Sequence, residues 1–578
     1  MIEALYSYGK VVFGESRVLL DKPSCDYLLI LDFDANGDCT NISSTKNISP
    51  FADKLLYKQI RASRRCNASA PTFYLNTKAP EKAIKCLKAI FNHLKKFASS
   101  PIPEPADYKK LLTELKAYLS KNPFGARDKV LLTLRFDGKF PAEVPQIHDA
   151  FFKAILSDAG FSPENTVNGI CALCQEKKPV SGEKSPLAFY TLDKIGYLSG
   201  FSKKFHFRGF PLCYECYILL ENAKKEVFAK RFEIARGAPR YIVIPNLVLS
   251  QSGLKNSPYD EETIKEIFSA FYDREEFKKV LKLTHLERKK LTDSDEEILD
   301  LVKELEDILT LHFLFIENQQ ARELIRLHIQ DVYPSRIKEL FEAKEWVEKS
   351  IEYKTPSREF TLGVLWKFFS KLDESSKATF AKEFLELLDR VFRKIPYSQA
   401  LLIKVLLNGI RRAYFEELES SGQRLTFTTF DALACYLFVK MATEGTMGEI
   451  KKENLKDFLD SLPLLEKPEA KGLFLLGVLT QRLLETQSKE REGRKPFLKK
   501  LCGFKLDERG FKKLLPELMD KLEAYEAFGF PEEKLFELLS EYFAMAGSPW
   551  KLNLEEMNFI FAIGMGMKKK IYKIMFGG

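Results

Sequence analysis

The sequence predicts a predominantly helical α+β chain. It expects a mixed α/β N-terminal domain with a four-cysteine zinc-binding insertion, then a helical region and a C-terminal helical bundle. Three observations predict it. Short apolar and aromatic runs bounded by turn formers fill the first part, two Cys-x-x-Cys pairs interrupt it, and helical periodicity takes over from about residue 259. At 578 residues the chain exceeds a single hydrophobic core. The expected divisions are 1–166 for the α/β domain, 167–222 for the cysteine module, 223–440 for the rest of the sheet plus a helical domain, and 441–578 for the bundle.

In the first division Tyr27–Asp34, Thr72–Leu75 and Val130–Phe136 read as strands, and Ser99–Pro105 as a loop between helical pieces. Asp32-Phe-Asp-Ala-Asn-Gly37 imitates the start of a calcium-binding loop. The twelfth position is Ser43, where a bidentate Glu is required, so a hairpin turn at Asn36-Gly37 is the better reading.

Cys171-Ala-Leu-Cys174 and Cys213-Tyr-Glu-Cys216 are separated by thirty-eight residues. Two side chains three positions apart grip one ion from a single turn, and two such turns complete a tetrahedron of sulfur around zinc. Four thiolates leave no open position for water or substrate, so the zinc is structural. Two disulfides are the competing reading. The start Met-Ile-Glu-Ala-Leu shows no secretory signal, and in a reducing cytoplasm paired Cys-x-x-Cys motifs hold metal more often than disulfides. A thioredoxin-like centre would need only one pair. Cys213 and Cys216 precede a helical run from Tyr217, whose dipole favours thiolate. The remaining cysteines, Cys25, Cys39, Cys66, Cys86, Cys435 and Cys502, are scattered and read as incidental.

Arg240–Pro245 reads as a strand returning to the first sheet. Beyond Tyr259 the pattern is almost wholly helical, with a capping box at Ser294–Glu297 followed by Ile298, Val302, Leu305 and Leu309 on one face. Forty-seven Phe against three Trp suit large helical cores. No repeat of 20–50 residues is evident. The richest apolar stretches, Leu473–Leu479 and Met557–Met567, fall short of the roughly 18–20 residues that span a bilayer, so no membrane partner is expected and the chain reads as cytoplasmic.

Net charge is +9, and its placement matters more than its total. Lys58, Arg61, Arg64 and Arg65 make one basic cluster, and Lys203, Lys204 and Arg208 a second, inside the cysteine module. The strongest spans Arg482–Lys513, with eleven basic residues against five acids, among them Arg494, Lys495, Lys499, Lys500, Lys512 and Lys513. Lys568 and Lys569 continue it in a basic tail. These are the candidate nucleic-acid contacts, each phosphate neutralised adding roughly −0.7 to −0.9 to the log–log salt slope. No Walker loop, HExxH, GxSxG or kinase signature occurs. The six histidines form no close His-His pair in sequence and no catalytic residue is assigned; His206, within the cysteine module, is the one to watch.

Asn168-Gly-Ile-Cys-Ala-Leu-Cys174, Phe189-Tyr-Thr-Leu-Asp-Lys194, Phe210-Pro-Leu-Cys-Tyr-Glu-Cys216 and Tyr241-Ile-Val-Ile-Pro245 together resemble the large subunit of type I-B CRISPR interference complexes, the Cas-eight-b or Csh-type family. Phe474–Leu484, Pro496–Leu501 and Trp550-Lys-Leu extend the likeness towards the C-terminus. The resemblance implies a non-catalytic subunit of an RNA-guided surveillance complex (Cascade). Such a subunit recognises the protospacer-adjacent motif on double-stranded target DNA, helps unwind it, and helps recruit a separate helicase-nuclease. Its implied partners are CRISPR RNA, target DNA, the backbone and small subunits, and that nuclease. The C-terminal bundle would resemble the small subunit, which the family can also make from an internal start; Met441 and Met447 would give fragments of 138 and 132 residues. A zinc-stabilised nuclease and a stand-alone DNA-binding regulator are the alternatives. The type III large subunit is set aside, because no Gly-Gly-Asp-Asp run occurs.

Overall fold

A computed structural model describes residues 1–14, 23–46, 48–58, 70–125, 127–187, 203–235, 237–248, four positions between 262 and 268, 309–319, 322–353, 355, 358–370, 377–419, 424–445 and 447–576. Two compact units emerge, Ile2–Glu226 and Val227–Gly578.

The first unit opens with helix α1 (Ile2–Phe13) and builds a four-stranded sheet of β1 (Tyr27–Phe33), β2 (Cys39–Thr45), β3 (Phe73–Leu75) and β4 (Val130–Phe136) in the order β2-β1-β4-β3. Strands β1 and β4 run parallel, in register from Tyr27 opposite Val130 to Phe33 opposite Phe136, with antiparallel partners outside them. Both central strands are buried on both faces, which is why each reads as an unbroken apolar run rather than an alternating one. Helices α2 (Pro80–Leu94), α3 (Tyr108–Lys121) and α4 (Pro145–Asp158) cover one face, where Leu29, Leu132, Leu87, Phe91, Ile147 and Phe151 meet. The other face packs on Tyr57 and Phe140. The hydroxyls of Thr72 and Thr133 satisfy each other at 2.9 Å in that interior. The calcium-loop imitation is a hairpin turn: Asp34 accepts from the backbone N–H of Asn36 and Asp38, Gly37 takes φ +83°, and Asp32 is held by Arg135.

A small antiparallel sheet of β5 (Val167–Ile170), β6 (Lys177–Ser181) and β7 (Leu212–Cys213) follows, leading into α5 (Tyr214–Ala229).

Two expectations are corrected in the second unit. β9 (Arg240–Leu247) does not return to the first sheet; it joins β8 (Phe232–Glu233), β10 (Leu309–Gln319) and β11 (Arg322–Val332) in a separate antiparallel sheet ordered β11-β10-β9-β8. The stretch after residue 259 therefore contains an eleven-residue hairpin pair rather than helix alone. Leu309, expected on a helix face, begins β10, and the capping box at Ser294–Glu297 lies outside the described residues.

Helices α6 (Pro334–Ser350), α7 (Leu362–Phe369), α8 (Lys377–Arg393), α9 (Gln399–Glu419), α10 (Arg424–Glu444), α11 (Leu455–Ser461), α12 (Pro468–Glu490), α13 (Glu508–Ala524), α14 (Phe530–Ala546) and α15 (Leu554–Phe576) complete the unit. Local chemistry sets their ends. Asn454 and Asp507 cap α11 and α13 through their side chains, Pro opens α6, α12 and α14, and α12 stops where Glu492 and Gly493 turn to positive φ.

Helix α10 is long and apolar enough to pass for a bilayer span, which amends the expectation drawn from the shorter apolar runs. Most of its apolar residues are core: it packs on α6, α9 and α15, and Leu433, Leu437 and Phe438 are buried, while Phe427 in its first turn is exposed. Helices α12 and α15 cross at bare backbone. A Cβ added to Gly477 would lie 2.1 Å from the Phe561 carbonyl oxygen, and one added to Gly564 would lie 2.0 Å from that of Phe474. Helix α15 also packs on α9 and α10, so residues 441–578 share their core with helices that precede them.

Candidate functional site

The first cysteine pair sits on a turn between β5 and β6. Gln175 takes φ +61°, its N–H donates to the Cys171 carbonyl at 3.0 Å, and the Cys171 N–H donates to the Glu176 carbonyl at 3.0 Å. This folds Cys171 and Cys174 toward one point. The second pair comes from β7 and the first turn of α5, so Cys213 and Cys216 do stand at a helix N-terminus. Pairing of β6 with β7, Val180 opposite Cys213, joins the two halves.

The four sulfur atoms all lie within 4.8 Å of one another, with Cys174 and Cys213 at 3.8 Å. A tetrahedron with Zn–S bonds of about 2.3 Å has edges of about 3.8 Å, so the spacing fits one metal ion. None of the four is in a disulfide, and Cys171, Cys213 and Cys216 are buried. Cys171 accepts from its neighbouring thiols and from the Cys213 N–H at 3.3 Å, which holds its own thiol far below the usual range. The shared hydrogen bond with Cys171 pushes Cys213 and Cys216 up, Cys216 to about 12. Beyond the sulfurs, the Tyr6 hydroxyl of α1 lies 3.6 Å from Cys216 Sγ, a contact spacing rules could not foresee. Of the six scattered cysteines, Cys86 is disulfide-bonded. His206 supplies no metal ligand; its Nδ1 accepts from the Gly182 N–H at 3.2 Å and steadies the module.

The basic residues part into occupied and available ones. Lys495 is held by Glu417 at 2.5 Å, with both side chains under 10% exposed. Lys568 binds Glu485 at 3.0 Å and lies over Tyr572. Lys58 stands 3.8 Å from Glu221. Lys512 pairs with Glu508 and Lys500 with Glu517, both lysines exposed. Arg494, Lys499, Lys513 and Lys569 are exposed and make no ion pair among the described residues. The Lys500–Glu517 pair sets the 3-10 helix Pro496–Leu501 beside α13, where Arg509, Lys513 and Glu517 follow at intervals of one turn. Arg509, one of the basic residues of the Arg482–Lys513 cluster, thus shares a helical row with Lys513. In the cysteine module Lys203 opens the 3-10 helix ending at Arg208; Lys204 is exposed, and Arg208 lies 4.4 Å above the Phe205 ring. Arg61, Arg64 and Arg65 lie outside the described residues, as does Phe189–Lys194.

Histidines far apart in sequence do meet. His312 of β10 and His328 of β11 approach to 3.1 Å between Nδ1 and Nε2, with Asp331 3.5 Å from the first. A bulge between Leu311 and Phe313 and a positive φ at Asp331 create that meeting. Burial lowers both histidines to about 4, so they are neutral at pH 7.

Compared with known protein families, the chain is a CRISPR-associated protein over most of its length. Models for the N-terminal, central and C-terminal domains of CRISPR-associated protein TM1802 (cas_TM1802) match residues 1–157, 168–332 and 360–575 in order. The chain belongs to this family, which gives it a role in CRISPR defence. No curated protein matches it.

Proposed function

We propose that the chain is the non-catalytic large subunit of a type I-B RNA-guided surveillance complex, acting in the cytoplasm. It grips target DNA beside the CRISPR RNA, reads the protospacer-adjacent motif, helps open the duplex, and leaves cutting to a recruited helicase-nuclease. Zinc in the four-cysteine cage braces the first unit; closed by four thiolates, the cage would offer that ion no position for substrate. The observation that carries the reading is the set of exposed cations without an ion pair among the described residues, Arg494, Lys499, Arg509, Lys513 and Lys569, on the helical unit of a CRISPR-associated chain. Such cations neutralise phosphates without reading bases, and guide pairing supplies the long sequence.

The test is co-purification with the neighbouring subunits and CRISPR RNA, then binding to target duplexes with a randomised flanking motif. The expected result is one assembly that selects a short motif, while the chain alone binds DNA weakly and cuts nothing. Cleavage by the purified chain, or tight motif-specific binding without partners, overturns the reading.

A further inference from the structure

The helical unit holds a cleft of about 560 Å³ between α7, α9 and α10, within the size range of ligand sites. Its chemistry differs from the core around it. Three cations line it, Lys367, Arg412 and Arg424, against two carboxylates that are already claimed. Glu416 is met by Arg424 at 2.7 Å, and Asp431 is taken by Arg358 and by the Tyr353 hydroxyl. Lys367 is exposed and makes no ion pair among the described residues. Arg412 gives both terminal nitrogens to backbone, Nη1 to the Ser370 carbonyl at 2.9 Å and Nη2 to that of Phe368 at 3.0 Å. Those bonds fix its position, and among the described residues no carboxylate is hydrogen-bonded to it, although Glu416 acts on it at longer range.

An exposed aromatic ring lines the same cleft as these cations. Phe427, in the first turn of α10, lines the cleft and is 55% exposed. The guanidinium of Arg358 lies 5.6 Å from its ring centroid and is itself seated over Tyr353 and Phe430, so the ring is braced. Gly409 lines the cleft too, and a Cβ there would come within 2.4 Å of the Phe368 ring.

We propose that this cleft binds one unpaired nucleotide, its base against Phe427 and its phosphate toward Lys367 and Arg412. The inference deepens the reading of the chain as a nucleic-acid grip and rests on it. A planar π-face beside a surplus of fixed cations is the combination that single-stranded nucleic acid uses, and it tolerates any base. A nucleotide of a displaced strand and a free mononucleotide share that chemistry.

The experiment uses the full chain with two probes, dAMP by calorimetry and a ten-residue oligothymidylate carrying one 5-iododeoxyuridine, cross-linked by light and mapped by mass spectrometry. The cross-link is expected within the peptide that holds Phe427. Phe427→Ala should weaken oligonucleotide binding about 5- to 150-fold, the worth of one base stack, and Phe427→Trp should restore it. Lys367→Glu should weaken binding and flatten the log–log salt slope by roughly one contact. Binding of dAMP with the same sensitivity identifies a free nucleotide as an occupant; binding of the oligonucleotide alone identifies the strand. Melting temperature and metal content of each variant report on folding. Wild-type affinity in Phe427→Ala with cross-links only outside residues 362–431 overturns the cleft while leaving the DNA-binding reading in place. Loss of all nucleic-acid binding by the wild-type chain, alone and assembled, overturns both.

Discussion

The Tyr6 hydroxyl stands 3.6 Å from Cys216 Sγ, so α1 closes over the four-sulfur cage from a position 210 residues away in sequence. Burial, reinforced by the neighbouring thiols, pushes the Tyr6 phenol far up, which keeps it a donor at every working pH. A thiolate ligand accepts from such a donor. Tyr6→Phe should retain the metal but bind it about 10- to 100-fold more weakly, the usual effect of losing an outer-shell partner, as read by competition with a chromophoric chelator.

The cage itself should carry one zinc per chain, measured by elemental analysis. Cys213→Ser should lose it, since three thiolates remain where four are needed for a closed site. Chelation or this substitution should make the unit Ile2–Glu226 sensitive to limited proteolysis. Proteolysis spread evenly over both units would show that the cage is not a local brace.

Two lysines counted alike in the sequence should behave differently. Lys495 is buried against Glu417, and Lys495→Met strands a buried carboxylate, which costs about 3–5 kcal/mol and should appear as a lowered melting temperature. Lys513→Glu, on the exposed row with Arg509, should leave melting unchanged while weakening DNA binding by the assembled complex and reducing its salt slope. Equal melting temperatures for the two variants would contradict the distinction.

The histidine pair gives a pH response with a defined sign. Both folded-state values are depressed to about 4 from the ordinary 6.5, with burial the main cause. The unfolded chain therefore binds protons that the folded pair refuses, and stability present above pH 6.5 is lost as pH falls toward 4. His312→Leu should flatten that part of the melting profile relative to wild type at equal zinc content. An unchanged slope would remove the pair from the account.

The crossing of α12 and α15 should be the least forgiving place in the helical unit. Gly564→Val pushes a branched side chain onto the Phe474 carbonyl and should cost about 3 kcal/mol, the upper range for overpacking. An exposed Gly such as Gly448, with nothing near its absent Cβ, should accept Ala with little change in denaturant midpoint.

What the sequence disclosed was local. Cys-x-x-Cys spacing found all four sulfur positions because both pairs sit on single turns, and β1 and β4 were legible because burial on both faces leaves an unbroken apolar run. Partner choice was not legible. β9 has the same apolar run as β1 and β4, and nothing within it says that its neighbour is β10, some sixty positions on, rather than the first sheet. Leu305 and Leu309 fitted a helical face, although Leu309 opens a strand whose alternation is masked by burial on both sides. Charge counting failed in the same way. It could not see Glu417, 78 positions from Lys495, nor bring His328 to His312 across a bulge.

The packing of α15 on α9, α10 and α12 also bears on biosynthesis. Helix α15 follows α9, α10 and α12 in chain order, so the apolar sides of those helices are synthesised before the helix that covers them. Domains that close early in translation protect themselves as they emerge. Here that cover arrives only with α15, and a chain cut before it would present bare apolar helix faces rather than a slightly smaller core.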